Sequence, residues 1–218
     1  MMTRNLFSSE SASFLYAITD PGLSHLSHFD LVKVLAEHGV RWIQIREKRT
    51  GRMSFDEAVR SIEFARQRGA RIIVNDRVDL ALASDADGVH LGEDDLPPEE
   101  ARKILGKEKI IGLSTHSVAE AVSAAMKDVD YIAIGPVFQT STKKLQYEPL
   151  GLGAISEARK QIVKPIIAIG GIKLRNVADV IGSGADAVAV ISDLLCEGEI
   201  GKRVDEYMFI ARSLKRCI

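Results

Sequence analysis

Gln44, Arg46 and Lys48 alternate along one short stretch of the chain. Alternate side chains of an extended segment project to the same side, so these three form a row of donors. A planar guanidinium fork, a point-charge ammonium and an amide together suit a phosphate or diphosphate. Glu47 within the same stretch leaves a second reading open, a salt-bridged rim. Carboxylates follow at two later places, in Asn75-Asp76 and in the run His90-Leu91-Gly92-Glu93-Asp94-Asp95. Oxygen ligands near phosphate donors suit Mg²⁺, which takes one or two protein carboxylates and completes its shell with water and substrate oxygens. Asp76 and Asp95 are the metal candidates. Glu93 and Asp94 read instead as acids at the N-terminus of the helix expected around Pro97 and Pro98.

Further along, Ser114-Thr115-His116 carries a hydroxyl and an imidazole with no evident third group to orient them, so it does not read as a nucleophile and base. A Ser or Thr there also fits the cap of a helix beginning near Ser117. The stretch GPVFQTSTKK, Gly135 to Lys144, sets hydroxyls at Thr140, Ser141 and Thr142 beside ammonium groups at Lys143 and Lys144, a candidate anion loop. Gly170-Gly171-Ile172 and Ile191-Ser192 offer backbone amides and a hydroxyl, the components of a phosphate cradle.

Each group follows a short apolar run: FLYAIT from Phe14, RWIQI from Arg41, RIIVN from Arg71, ADGVHL from Ala86, KIIGLS from Lys109, DYIAIG from Asp130, PIIAIG from Pro165 and DAVAVIS from Asp186. Each has the length of a buried strand. Between them lie helical patterns such as FDLVKVLAEHG, FDEAVRSIEFARQRG, PPEEARKIL, SVAEAVSAAMK and LRNVADVIGSG. Eight alternations in 218 residues predict a single-domain (β/α)8 TIM barrel over residues 1–218, with an open doubly wound sheet as the other possibility. DPGLSHLSH, after the first strand, reads as a loop, and residues 1–13 as a loosely ordered N-terminal extension. In such barrels functional groups gather at the C-terminal ends of the strands, where every candidate above falls.

With 46% hydrophobic residues, 27% charged residues and a formal net charge of -1, the chain has the makings of one large core and no basic surface for nucleic acid or anionic membrane. Small molecules are the expected partners. The first fourteen residues lack the apolar stretch of a signal peptide, which predicts a cytoplasmic protein. Cys196 and Cys217 have neither disulfide-framework nor zinc spacing and read as reduced thiols.

Taken in order, YAITD at Tyr16, QIREK at Gln44, NDRVDLAL at Asn75, DGVHLGEDDLP at Asp87, IGLSTHS at Ile111, GPVFQTSTKK at Gly135, PLGL at Pro149, AIGGI at Ala168 and VAVIS at Val188 closely resemble the thiamine phosphate synthase family. The resemblance covers nearly the whole chain. It implies a TIM barrel that joins a pyrimidine-methyl diphosphate to a thiazole phosphate and releases pyrophosphate, with Mg²⁺ as cofactor. It assigns Gln44, Arg46, Lys48, Asn75 and Lys143 to the pyrimidine diphosphate, and Asp76 and Asp95 to the metal. It brings Ser114 to the pyrimidine, and makes Ser114 and Lys143 the catalytic candidates. Thr140, Ser141 and Thr142 would contact the thiazole, with Gly171, Ile191 and Ser192 on its phosphate. Glu93 stands where the family pattern has Gln, and Gly153 where it often has Glu. A related barrel, the thiazole tautomerase, shares the donor row, the Ser-x-His segment and the glycines, and would use His116 as an acid or base. A phosphate-binding barrel without catalysis is the non-enzymatic alternative.

Overall fold

The computed structural model describes residues 6–7, 14–47, 55–140, 147–196 and 199–215. Eight strands, β1 (Leu15–Thr19), β2 (Trp42–Ile45), β3 (Arg71–Asn75), β4 (Gly88–Leu91), β5 (Ile110–Thr115), β6 (Tyr131–Ile134), β7 (Ile166–Ile169) and β8 (Ala187–Val190), close into a parallel barrel in sequence order. The last strand pairs with the first, Leu15 opposite Val188 and Ala17 opposite Val190, which decides for the closed barrel over the open sheet. The helices among the described residues are α1 (Pro21–Ser24), α2 (His28–Glu37), α3 (Phe55–Gln67), α4 (Val78–Ala83), α5 (Pro98–Leu105), α6 (Val118–Ala125), α7 (Gly151–Gln161), α8 (Val177–Gly182), α9 (Ser192–Leu195) and α10 (Ile200–Lys215). Two expectations shift locally. The segment DPGLSHLSH holds the turn α1, because Asp20 accepts a hydrogen bond from Gly22 N at 3.0 Å and Pro21 is preorganised for a first helical position. LRNVADVIGSG divides into a 3-10 turn at Leu174–Asn176 and then α8.

Strand alternation separates two layers. Leu15, Ala17, Ile43, Ile45, Ile132, Ile134, Val188 and Val190 pack beneath the helices, while Tyr16, Ile18, Trp42, Tyr131, Ala133, Ala187 and Ala189 fill the barrel interior. Continuous apolar strands are the consequence of burial on both faces. Leu6 is buried in the same inner cluster, and the ring of Phe7 lies 4.6 Å from that of Trp42. The aspartates that precede β4, β6 and β8 share one task. Asp87, Asp130 and Asp186 accept from the backbone N–H of Ile72, Ile111 and Ile166 at 2.8, 2.8 and 2.7 Å, so each carboxylate satisfies a donor near the start of the preceding odd-numbered strand. Arg102 and Arg159 hold two of them, at 2.6 Å to Asp130 and 2.8 Å to Asp186.

Gly112 sits opposite Tyr131 in the β5–β6 register, and a Cβ there would overlap the ring and hydroxyl of Tyr131. The missing side chain is what lets a tyrosine lie across the barrel. Gly112→Ala is therefore expected to cost about 1–3 kcal/mol through overpacking. A thermal melt indistinguishable from that of the unsubstituted chain would contradict this account of the interior.

Candidate active site

At the C-terminal ends of the strands a cleft of about 1010 Å³, counted with its open mouth, is lined by Gln44, Arg46, Asn75, Ser114, Thr140, Gly171, Ile191 and Ser192 among others. These are eight of the residues expected from sequence, contributed by the ends of β2, β3, β5, β6, β7 and β8. Lys48, Ser141, Thr142 and Lys143 lie outside the described residues.

Gln44 and Arg46 are 3% and 7% exposed, inside the mouth of the barrel rather than on a rim. Arg46 donates to Asp20 Oδ2 at 2.6 Å, and the same carboxylate, through Oδ1, caps α1. Asp20 was not singled out from sequence; its signal was the Asp-Pro pair that starts a helical turn. Burial pushes the Arg46 guanidinium below its usual range, and the charges of Asp20 and Asp76 act against that shift. Glu47 turns elsewhere, to the buried His28 at 3.4 Å, so the salt-bridged rim between Arg46 and Glu47 gives way to an Arg46–Asp20 pair. Alternation along the strand puts Arg46 and Glu47 on opposite sides.

Asp76 and Asp95 meet. Asp76 follows β3 with φ +62°, a left-handed conformation that Asp tolerates better than most residues, and its N–H donates to His90 O at 2.8 Å. The Asp76 carboxyl shares a hydrogen bond with Asp95, whose Oδ2 accepts from Gly92 N at 2.6 Å. Burial, then the hydrogen bond and charge of Asp95, push the Asp76 carboxyl up to about 6, against the lowering effects of Asn75 and Arg46. Two carboxylates forced together in this way are a site for a hard divalent cation, which would relieve their repulsion. Among the described residues no third His, Cys, Asp or Glu completes a cluster around them, and Mg²⁺ does not require one.

Glu93 and Asp94 are not helix N-terminal acids. Two successive prolines place the start of α5 at Pro98, and the acids in its first turn are Glu99 and Glu100. Glu93 instead accepts from the Tyr147 hydroxyl at 3.1 Å, so the charge that departs from the family pattern has a partner across the mouth. Gly153 lies on α7 with open space where a side chain would project.

Ser114 does not pair with His116. Its Oγ lies 2.8 Å from Nε2 of His90, on the neighbouring strand. His116 places Nδ1 2.8 Å from the carbonyl of Gly135 and stacks on Tyr147 with centroids 3.9 Å apart. The cap of α6 is Ser117, which accepts from Glu120 N at 3.1 Å. Behind Ser114 runs a chain of contacts that sequence reasoning missed. His90 Nδ1 is 2.9 Å from the Tyr131 hydroxyl, which is 2.8 Å from that of Tyr16, which accepts from Gln44 Nε2 at 3.2 Å.

The opposite wall is built on glycines. Gly170 and Gly171 have φ +99° and +64°, conformations that side chains disfavour. A Cβ on Gly170 would come within 2.5 Å of Pro136 Cα, and one on Gly171 would overlap the carbonyl of Gln139. The pair thus seats the loop after β6, where Val137 and Phe138 donate to the carbonyls of Ile169 and Gly170 at 2.9 and 3.0 Å. Next to Ser192, Asp193 is 4% exposed and accepts from Leu174 N at 3.1 Å and from the Tyr207 hydroxyl at 2.7 Å. It ties the loop after β7 to α9 and α10, a buried acid that nothing in the sequence set apart from surface aspartates.

The model of the thiamine monophosphate synthase family matches residues 15–194, every strand of the barrel and all the site residues above. The chain belongs to that family. The thiamine-phosphate synthase of Pelotomaculum thermopropionicum is 45% identical over 82% of this chain and 82% of its own length. That of Methanoculleus marisnigri is 46% identical over 85% of this chain and 89% of its own. Among solved structures, the thiamine phosphate pyrophosphorylase of Pyrococcus furiosus superposes with a TM-score of 0.85 at 34% identity, covering 94% of this chain and 97% of that one. Within the thiamine monophosphate synthase family the unexpected contacts gain a context, since Arg46 and the Tyr–Tyr–His chain line one cleft, and Asp76 directly follows Asn75, which lines it too.

Proposed function

We propose that the two ends of this cleft hold the two substrates of a thiamine-phosphate synthase, a transferase of a pyrimidinylmethyl group. Gln44, Arg46, Lys48, Asn75 and Lys143 bind the pyrimidine diphosphate, and Ser114 contacts its pyrimidine ring. Thr140, Ser141 and Thr142 face the thiazole, whose phosphate rests on Gly171, Ile191 and Ser192. The observation that carries the assignment is the meeting of Asp76 and Asp95 near Arg46, a carboxylate pair suited to a cation that accompanies a diphosphate. Mg²⁺ held by these two residues would neutralise charge on the departing pyrophosphate.

The chain's own residues then have limited work. An aminopyrimidine stabilises a cation at its exocyclic methylene by electron donation through the ring, so no enzyme nucleophile is needed. Arg46, held by Asp20, fixes the diphosphate with hydrogen bonds that strengthen as charge gathers on the leaving oxygen. The cradle wall keeps the thiazole nitrogen in line with the methylene carbon, and orientation of this kind supplies much of the rate. The C–O bond breaks with its electron pair leaving on pyrophosphate, and the lone pair of the thiazole nitrogen then forms the C–N bond to the methylene cation. The tautomerase reading would make His116 the proton shuttle, yet its Nδ1 faces the Gly135 carbonyl and its ring lies flat on Tyr147.

The test is direct. Purified protein incubated with both substrates and Mg²⁺ should form thiamine phosphate and pyrophosphate. If neither appears while an authentic synthase works alongside, the reading fails. A second measurement probes the cradle. Asp193→Asn weakens the bond from Leu174 N to Asp193 beside Ser192, and is expected to raise KM for the thiazole phosphate by about tenfold, the worth of one charge-assisted hydrogen bond. KM for the pyrimidine substrate should not change, and an equal rise in both would assign Asp193 a general structural role.

A further inference from the structure

Each hydroxyl in the interior chain has one proton to place, and its partners restrict where that proton goes. Tyr16 and Tyr131 are fully buried, and burial pushes both phenols above their usual range, so both remain protonated. Gln44 Nε2 donates to the Tyr16 oxygen at 3.2 Å. The Tyr16 proton then goes to the Tyr131 oxygen at 2.8 Å, since buried donors are almost always satisfied. Tyr131, already accepting, passes its own proton to His90 Nδ1 at 2.9 Å. That leaves Nδ1 bare and the ring proton on Nε2, which donates to Ser114 Oγ at 2.8 Å. An imidazolium would present Nδ1–H to Tyr131 and leave the Tyr131 proton without its acceptor in the chain. The Ser114 hydroxyl, which accepts from His90, has its own hydrogen left for the cleft it lines.

We propose that this relay runs in one direction, from Gln44 through Tyr16, Tyr131 and His90, and makes Ser114 a hydrogen-bond donor to an acceptor ring nitrogen of the pyrimidine substrate. The proposal deepens the assignment of Ser114 to the pyrimidine and rests on it. Tyr16, Tyr131 and His90 are positioning residues, acting on substrate only through Ser114. Chains of hydrogen bonds in a dry interior polarise one another, so a uniform direction strengthens the terminal donor. A pocket that presents a fixed donor also discriminates, because a ring offering N–H or C–H at that edge meets an opposing hydrogen and leaves Ser114 unsatisfied. Gly112 belongs to the device, as its missing side chain is the space in which the Tyr131 ring reaches between His90 and Tyr16.

Nitrogen-15 NMR of histidine-labelled protein without substrate reads the direction. His90, assigned by the loss of its signals in His90→Gln, should be neutral with the proton on Nε2. A proton on Nδ1, or an imidazolium at neutral pH, would reverse the relay and overturn the proposal. Tyr131→Phe should mix the two tautomers and lower kcat about tenfold, with KM for the thiazole phosphate unchanged. Tyr16→Phe, which keeps the Tyr131–His90 contact but loses the directing donor, serves if the first variant fails to fold, and should also mix the tautomers. An unchanged tautomer together with an unchanged kcat in the folded variant sinks the proposal. Because the tautomer is read without turnover, a wild-type protein that shows the Nε2 proton yet makes no thiamine phosphate would refute the proposed function and leave the relay intact.

Discussion

Arg46→Ala is expected to lower kcat/KM for the pyrimidine diphosphate by about 10- to 150-fold, the equivalent of about 1.5–3 kcal/mol for a hydrogen bond between charged groups. The loss is expected at this high level because Arg46 is buried and already oriented by Asp20, so little ordering is needed when the diphosphate arrives. Two carboxylates are also left without their cation, since Arg46 lowers the pKa of Asp76 and pairs with Asp20. Arg46→Lys should recover only part of the loss, because an ammonium lacks the planar fork. Steady-state kinetics with each substrate varied in turn is the measurement. Normal kinetics for the pyrimidine diphosphate in the alanine variant would remove Arg46 from that site.

A second large effect is expected at the carboxylate pair, with opposite signs for activity and for stability. Asp76→Asn and Asp95→Asn should each raise the Mg²⁺ required and slow coupling, and the double variant should lose less than the product of the single losses. Groups that act through one ion are not independent. Stability runs the other way. The Asp76 carboxyl is raised to about 6 in the folded chain, so the folded state holds this proton more tightly than the unfolded state does. Its contribution favours folding below the ordinary carboxylate range near 3.8 and is lost as pH rises through about 6. Above that pH the metal-free protein carries two ionised carboxylates in contact. Asp76→Asn removes one of the charges, and asparagine accepts the positive φ at this position. The metal-free variant should therefore melt higher than the parent at pH 8, and no higher at pH 4. Mg²⁺ should raise the Tm of the parent more at pH 8 than at pH 5 and do little for either Asn variant. Coupling that survives EDTA and both substitutions would overturn the role proposed for the pair.

The eight strands, their order and the position of Gln44, Arg46, Asn75, Asp76, Ser114, Gly171 and Ser192 at or just after the C-terminal ends of strands were legible in the sequence. A buried parallel strand must be apolar throughout, so its end shows as the point where polar residues resume. In a barrel that point faces the cleft. The convergence of Asp76 with Asp95 was legible for the same reason, since both follow adjacent strands. The partners of those residues were not. Alternation tells which side of a strand a residue occupies, but the residue it meets across the interior depends on barrel closure and on register. Tyr16 reaches Tyr131 across 115 residues of sequence, and His90 reaches Tyr131 across 41. Both tyrosines read as ordinary members of apolar runs until the closed barrel brings their hydroxyls together. Ser114 likewise has His116 two residues away in sequence and bonds to His90, because His90 stands opposite the side-chain-free Gly112 on the neighbouring strand and reaches the next residue on the same face, Ser114, whereas His116 has already left the strand for the loop. Residue types and spacing thus determined what chemistry this chain carries. Only tertiary structure decided which group orients which, since a hydrogen bond depends on direction and a few tenths of an ångström that no linear spacing encodes.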